Sequence, residues 1–489
     1  MCGDSSVVVA NDLHVEGKGQ EGLCPLKLGT MRGPHPLLRA IVASSIFISL
    51  IASSPHSHAL GGCGWDTKDG WVARENAKAG NPTWDTGLPV RMSADFSRRN
   101  PGSSRIEGWF GSTSARCGQT VALHLVGLRD EAKISIYRMG YYKGAGARFI
   151  SSARVKNPLW KYTISNQTPP GQYLFRLDQA KSVSAFVPLI IRDENSKSNI
   201  TFISSVLTWQ SYNQWGGSSL YKGPNAKRET QAKEVSFDRP YDGDGAGQFR
   251  YLEFPATQLA EKNGIAINYI TDIDLDSDPT VLRSTQSIVV GGHSEYWTER
   301  MRGAIETSVN RGINLVSLGA NTGYNRTILS QNSRAMGKIV KWRDPTIKKP
   351  ESLLFGSQYF ALGVHEDYVV TNAQVWPFNV LKQGQRIKGI AGNEVDSALN
   401  AKGPAIEVLA KSSNEAMATY YTLPSGSGIL NMGTIGWVCA IGNICPWGHK
   451  FALRTRNEIR LVTEEIFTGL TKGPLGHWRL ATPDIPARL

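Results

Sequence analysis

The sequence predicts an all-β domain, a sandwich, followed by an α/β domain with a mainly parallel sheet, and three observations lead there. A chain of 489 residues, 40% of them apolar, is globular and too long for one ordinary core. Residues from about 85 to 192 alternate apolar and polar between turn signals, as in TVALHLVGL, KISIYRMGYY, QYLFRLDQ and SAFVPLIIR. From about residue 200, short apolar runs alternate instead with stretches of helical periodicity.

Ahead of both lies an expected leader, residues 1–59. Residues 1–30 have no periodicity, whereas Met31–Ala59 carries Arg32, Arg39, the apolar run Ala40–Ala52 and small residues before Leu60. This is the pattern of a secretory signal cleaved after Ala59, with Met31 as an alternative start. The run is shorter than the roughly 20 residues of a membrane span, which favours export to a periplasmic or extracellular space over anchoring by an uncleaved Ala40–Ala52. Four of the six cysteines would survive cleavage: Cys63, Cys117, Cys439 and Cys445. An even number suits two disulfides in an oxidising compartment, and the short loop CAIGNIC suits a local Cys439–Cys445 bridge. Their spacing argues against a four-cysteine zinc site. The net charge of +13 suits association with anionic envelope surfaces. No Lys/Arg block interleaved with aromatics points to nucleic acid.

After an N-terminal extension (60–84), the sandwich is expected over 85–195, immunoglobulin-like, with KGAGA and PPGQ as turns. GYYKGAGAR follows a strand but opens no helix, which argues against a phosphate-cradling loop. The polar RDENSKSN (Arg192–Asn199) reads as a linker into the α/β domain, 196–489. There Ile200–Leu207 reads as a strand, Phe254–Lys262 as a helix closed by Asn263-Gly264, and Ile265–Thr271 and Ser287–Val290 as strands. A helix opens on an N-cap at Thr298 and runs to Gly312 with Met301, Ile305 and Val309 as its apolar stripe, and Ile313–Gly319 is the next strand.

In such sheets ligands sit beyond the carboxyl ends of the strands. His293 and Glu295, in GGHSEYW, follow one strand, and Asn321 follows the next in sequence. The loop Leu207–Tyr221 would reach the same rim with Trp209, Tyr212, Asn213, Trp215 and Tyr221, a density of aromatics suited to a pocket lining. A histidine and an acid two residues apart are common, and hydrogen bonding to neighbouring loops is the plainer role for them. TDIDLDSDPT resembles a calcium loop, but Ser277 replaces the glycine and Arg283 the glutamate an EF-hand requires, leaving a strand end and an Asp-rich turn. GVHEDY (Gly363–Tyr368) reads as a surface or supporting pair. The chain has no GxSxG, HExxH or Walker loop.

Five motifs in order, YRMGYYKGAGAR, TWQSYNQWGGSSLY, SFDRPY, GGHSEYW and LGANTGY, resemble the large subunit of N,N-dimethylformamidase and its relatives, from about Trp84 to Trp437. The resemblance implies a hydrolase of amide C–N bonds other than peptide bonds, with a mononuclear iron held by two tyrosines and a glutamate. It also implies a class I glutamine amidotransferase-like α/β domain. Carried over motif by motif, the glutamate is Glu295 and one tyrosine is Tyr212. The second tyrosine is assigned to Tyr241, with Tyr251 as the alternative. His293 and Asn321 match active-site positions, and a further catalytic glutamate is left between Glu366 and Glu415. Phenolate and carboxylate oxygens are hard ligands that favour ferric iron, which would act as a Lewis acid on the amide carbonyl. His293 would move a proton or orient water, and Asn321 would donate to the oxyanion. The formamidase works with a small subunit, which this sequence does not encode, so oligomer and partner stay open. An exported relative would act on small or envelope-derived amides. The alternative is a non-catalytic exported protein on the same scaffold, its aromatic loop gripping carbohydrate or peptide.

Overall fold

Period-two alternation becomes eight strands after a short helix α1 (Trp71–Asn76). They are β1 (Glu107–Phe110), β2 (Ser114–Arg116), β3 (Thr120–Val126), β4 (Ala132–Met139), β5 (Ala147–Val155), β6 (Leu159–Thr163), β7 (Gly171–Gln179) and β8 (Ala185–Arg192). A computed structural model describes residues 69–86, 105–180, 183–224 and 227–488. The leader, its cleavage point and Cys63 lie outside the described residues. A sheet of order β1-β3-β6 faces a second of order β2-β8-β7-β4-β5. Their inward side chains, among them Phe110, Leu123, Ile134, Phe175 and Val187, form one core, so this part is a two-sheet sandwich.

The α/β part runs β9 (Ile200–Ser204), α2 (Val206–Tyr212), β10 (Glu234–Ser236), α3 (Gly247–Leu252), α4 (Phe254–Lys262), β11 (Ile267–Thr271), α5 (Asp272–Ser277), β12 (Ser287–Val290), β13 (Tyr296–Trp297), α6 (Glu299–Asn310) and β14 (Asn314–Ser317). It continues with β15 (Asn325–Leu329), β16 (Ala335–Lys341), α7 (Ser352–Phe355), β17 (Gln358–Val370), β18 (Arg386–Ser397), β19 (Glu407–Lys411), β20 (Met417–Thr422), β21 (Gly428–Asn431), α8 (Gly436–Gly442) and α9 (Leu453–Leu470). The main sheet has the order β11-β9-β12-β14-β21-β20-β19-β17-β18. Its first five strands are parallel and the rest pair antiparallel. The expectation of a mainly parallel sheet is therefore corrected to a mixed one, because β17 to β20 connect through hairpins and turns that permit only antiparallel pairing. The parallel strands are buried at every position because both faces are covered. Val289 joins a core with α4, α8 and α9, while Ile288 and Val290 join one with Met301, Ile305 and Val309 of α6. Thr298 caps α6, accepting from Met301 N–H at 3.1 Å.

Two local readings change. The strand expected over Ile200–Leu207 stops at Ser204, and Val206–Tyr212, expected as the end of that strand and the start of the loop from Leu207, is helical. TDIDLDSDPT is largely helix rather than turn, because Thr271 and Asp274 form a capping box at its start. A disulfide joins Cys439 and Cys445, whose Cα atoms are 4.9 Å apart, across the end of α8. Cys117 is buried in the sandwich core.

Sandwich and α/β part belong to one compact unit. Arg138 of β4 pairs with Glu261 of α4 through Nη2–Oε1 at 2.7 Å and Nη1–Oε2 at 3.0 Å, both side chains almost completely buried. Tyr269 of β11 and Asn76 of α1 donate to the same carboxylate at 2.8 and 2.9 Å. A buried pair this fully hydrogen-bonded specifies how the two parts dock.

Glu253 is a second buried acid, at the break between α3 and α4. Its Oε1 accepts from Ser205 N–H (2.8 Å) and Trp209 Nε1–H (3.0 Å). Burial raises its carboxyl to about 8, the hydrogen bonds opposing only in part. Between the ordinary value of 4.5 and about 8 the folded chain holds a proton the unfolded chain has lost, so this group makes stability fall as pH rises through that window. Glu253→Gln keeps the acceptor and removes the titration. Relative to the parent it should gain roughly 3 kcal/mol between pH 5 and pH 8, read from urea midpoints. An identical shift at both pH values would overturn this.

Candidate functional site

The rim is built by strand register. β12 and β14 are parallel neighbours, so the segments after them run side by side and His293 bridges to Ala320. The glycines permit this approach. A Cβ on Gly319 would lie 2.1 Å from the Gly292 carbonyl oxygen, and one on Gly291 would lie 2.7 Å from the Leu252 carbonyl oxygen. Asn321 follows in a left-handed conformation (φ 57°), which asparagine tolerates better than most residues. His293, Glu295 and Asn321 are all buried.

Glu295 is the centre of the cluster. Its backbone is fixed by Thr208 Oγ1, which accepts from Glu295 N–H at 2.9 Å, and by Asn325 N–H, which donates to its carbonyl at 3.0 Å. Its carboxylate accepts from the Tyr212 hydroxyl (2.8 Å), the Tyr221 hydroxyl (2.6 Å) and Asn325 Nδ2 (2.8 Å). The two tyrosine rings stack with centroids 4.2 Å apart. Burial, then the Glu295 charge, pushes both phenols well above their ordinary value, so they are neutral donors to it.

Tyr241 is not in this cluster. It packs edge-on against Trp209, ring centroids 6.0 Å apart, while Tyr251 lies on α3 against the core. The second phenol beside Glu295 is Tyr221, brought back to Tyr212 because the intervening loop doubles over, with Leu220 N–H donating to the Ser211 carbonyl. Arg239 holds that loop, donating to the carbonyls of Gln210, Asn213, Trp215 and Ser218 at 3.0–3.1 Å. In SFDRPY the arginine, rather than the tyrosine, therefore serves the site. Tyr221 was visible as an aromatic of the loop, but its return to Tyr212 depends on this remote clamp.

The expected pocket lining also separates. Trp209 is buried, its indole donating to Glu253. Asn213 closes the turn, donating to the Pro240 carbonyl and accepting from Trp215 and Asp242 N–H. Trp215 reaches the sandwich, donating to Glu107 Oε2 at 2.9 Å. None of the three has a described contact with Glu295.

Beside Glu295, His293 Nε2 lies 3.5 Å from Glu295 Oε2 and 3.6 Å from Glu394 Oε2. At these distances neither contact has full hydrogen-bond geometry, although Glu295 still acts on the His293 ring as an acceptor as well as a charge. Burial opposes its protonated form, but the two carboxylates outweigh it and the pKa rises. Burial raises Glu394, with His293 opposing. Asn321 Nδ2 donates to Glu394 at 2.9 Å and its backbone N–H donates to Asp396 at 2.8 Å, while its Oδ1 has no partner. Burial raises Asp396 to about 7. Glu394 and Asp396 alternate on β18, so one strand face presents both. The second acid beside His293, after Glu295, is therefore Glu394, a position missed in the sequence. Glu366 instead accepts from Asn414 and Ser413 on an exposed turn, and Glu415 sits in that turn at φ 68°.

Among the described residues no three of His, Cys, Asp and Glu are grouped as metal ligands. What converges is one carboxylate and two phenols, an all-oxygen donor set, with two unpartnered buried polar atoms next to it. Those residue types fit a hard cation.

The fold and this cluster define a sandwich-plus-α/β protein with an oxygen-rich polar site at the carboxyl rim of a mixed sheet. The chain belongs to the N,N-dimethylformamidase beta subunit-like, C-terminal family, whose model matches residues 133–447. No curated protein sequence matches it. Among solved structures, DIP-gamma IG1+IG2 shares 11% identity over 20% of this chain and 56% of its own, with a TM-score of 0.13. A Paenibacillus sp. cycloisomaltooligosaccharide glucanotransferase complexed with cycloisomaltoheptaose shares 7% identity over 54% of this chain and 61% of its own, with a TM-score of 0.17. The chain spans less than two thirds of either structure, and neither likeness is high enough to bear on fold or function.

Proposed function

We propose that the protein is an exported, iron-dependent hydrolase of amide C–N bonds, its α/β part related to the glutamine amidotransferase-like folds. The observation that carries this reading is the meeting of Tyr212, Tyr221 and Glu295 beside His293 and Glu394, in a chain of the formamidase-like family. Tyr212, Tyr221 and Glu295 would hold the ion, and a ferric ion would supply Lewis acidity toward an amide carbonyl and toward water.

The remaining groups handle protons and charge. Glu394, its pKa raised by burial, suits a carboxyl that takes a proton from attacking water and returns it to the departing amine nitrogen. His293 Nε2, without a full hydrogen bond, can orient that water. Asn321 Nδ2 holds Glu394, and its free Oδ1 is an acceptor for a substrate N–H. Asp396 fixes the Asn321 backbone.

The test separates the two tyrosine assignments. Protein purified without chelators should contain near-stoichiometric iron and a visible tyrosinate-to-iron absorption band. Tyr212→Phe and Tyr221→Phe should each lose that band in large part and lower amide turnover by about a hundredfold or more, whereas Tyr241→Phe should keep the band. Colourless protein that takes up no iron on reconstitution would sink the reading.

A further inference from the structure

The rim beyond Glu394 carries an unspent cation. β15 and β16 pair antiparallel with Asn325 opposite Lys341, and directly opposite residues project from the same face of a sheet. The Asn325 side chain reaches Glu295, so Lys341 leaves the sheet on that side. Its Nζ lies 5.3 Å from the centroid of the Tyr324 ring. Arg343 lies over the same ring at 4.9 Å. Tyr324 meets Tyr359 with centroids 5.2 Å apart. Tyr359 is raised to about 12 by burial and next by the charge of Glu394. Two half-buried tyrosines thus stand between Lys341 and the site, Tyr324 next to the Asn325 that reaches Glu295 and Tyr359 packed on it.

The two cations on this two-tyrosine wall differ. Arg343 is committed to Glu351 and to the Tyr359 carbonyl at 3.1 Å. Lys341 is exposed and forms no ion pair with any described residue. That leaves Lys341 as the charge on this wall with which an anion can pair.

We propose that Lys341 binds a carboxylate on the substrate, so that the site takes amides bearing an acid group, of the N-acyl amino acid type, in preference to neutral amides. The inference rests on the amide-hydrolase reading for its turnover but not for its binding. The Tyr324 and Tyr359 faces would flank the segment between carboxylate and amide, and the ring under Lys341 holds the ammonium in place.

Two probes that share an N-alkylacetamide group test it, N-acetylglycine and the neutral N-methylacetamide, applied to the full-length protein. Binding is followed by tyrosine and tryptophan fluorescence, and turnover by amine release. The wild type should prefer N-acetylglycine, and Lys341→Met, which keeps a flexible stem on Tyr324, should cut the N-acetylglycine to N-methylacetamide ratio roughly five- to tenfold. Lys341→Arg should restore it, Lys341→Glu should invert it, and added salt should erode it. An unchanged ratio in Lys341→Met and Lys341→Glu would overturn the inference even if both probes are hydrolysed. Selective binding of N-acetylglycine that depends on Lys341, without turnover of either probe, would uphold the inference and sink the hydrolase reading instead.

Discussion

On the proposed reading, Glu295→Gln should abolish amide turnover, by at least about a thousandfold, and prevent iron binding while leaving the fold intact. The carboxylate is the one charged group on which both stacked phenols and Asn325 converge. A neutral amide there supplies one acceptor oxygen in place of two and puts donor hydrogens against donors. The backbone contacts of Glu295 to Thr208 and Asn325 do not involve its side chain, so they survive the change. Iron content, absorption spectrum and turnover measured on one preparation, with far-ultraviolet circular dichroism as the control for folding, decide it. Retained iron and turnover would remove Glu295 from the site, and so would an intact visible band with lost turnover from its role in holding the ion.

The largest effect on stability is expected at the contact between the sandwich and the α/β part. Arg138→Met leaves the Glu261 carboxylate buried beside Tyr269 and Asn76 with no countercharge. Removing one partner of such a pair costs about 3–5 kcal/mol. The loss should appear in urea or thermal unfolding at neutral pH and should shrink in Arg138→Met/Glu261→Gln, where no charge is stranded. A double variant as unstable as the single one would show that the loss comes from packing against Trp71 and Tyr142, over whose rings the guanidinium lies.

Much of the scaffold was legible because its signals are local. Alternation in TVALHLVGL needs only a sheet with one face buried, and the stripe Met301, Ile305, Val309 needs only a sheet to lie on. The N-cap at Thr298 and the short Cys439–Cys445 loop are equally local. GGHSEYW and LGANTGY could be placed on one rim because parallel strands joined by a helix bring their carboxyl ends together.

Not every reading that changed depended on something distant in the chain. The capping box that makes TDIDLDSDPT helical could be read locally, and there the acidic spacing drew attention away from it. Tyr221 could not be separated from Tyr241 by spacing, because the choice rests on Arg239 folding the intervening loop back on α2. Glu394 lies more than seventy residues beyond Asn321 in sequence and arrives only because β18 crosses the end of the sheet, with Val395 bridging to Thr434. Its strand, RIKGIAGNEVDS, carries no motif for a catalytic acid.

By itself the sequence determined the order of a strand-rich sandwich before an α/β part, the helix and strand periods, and the segments that supply His293, Glu295, Asn321 and Tyr212, because periodicity and turn chemistry act over a few residues. Only the tertiary structure decided which tyrosine joins Tyr212, which second acid faces His293 beside Glu295, and where Lys341, with no ion pair to a described residue, stands at the rim. Those are properties of side chains brought together by sheet order and by one arginine clamp, and a charge or phenol acquires its neighbours only when the chain between them has closed.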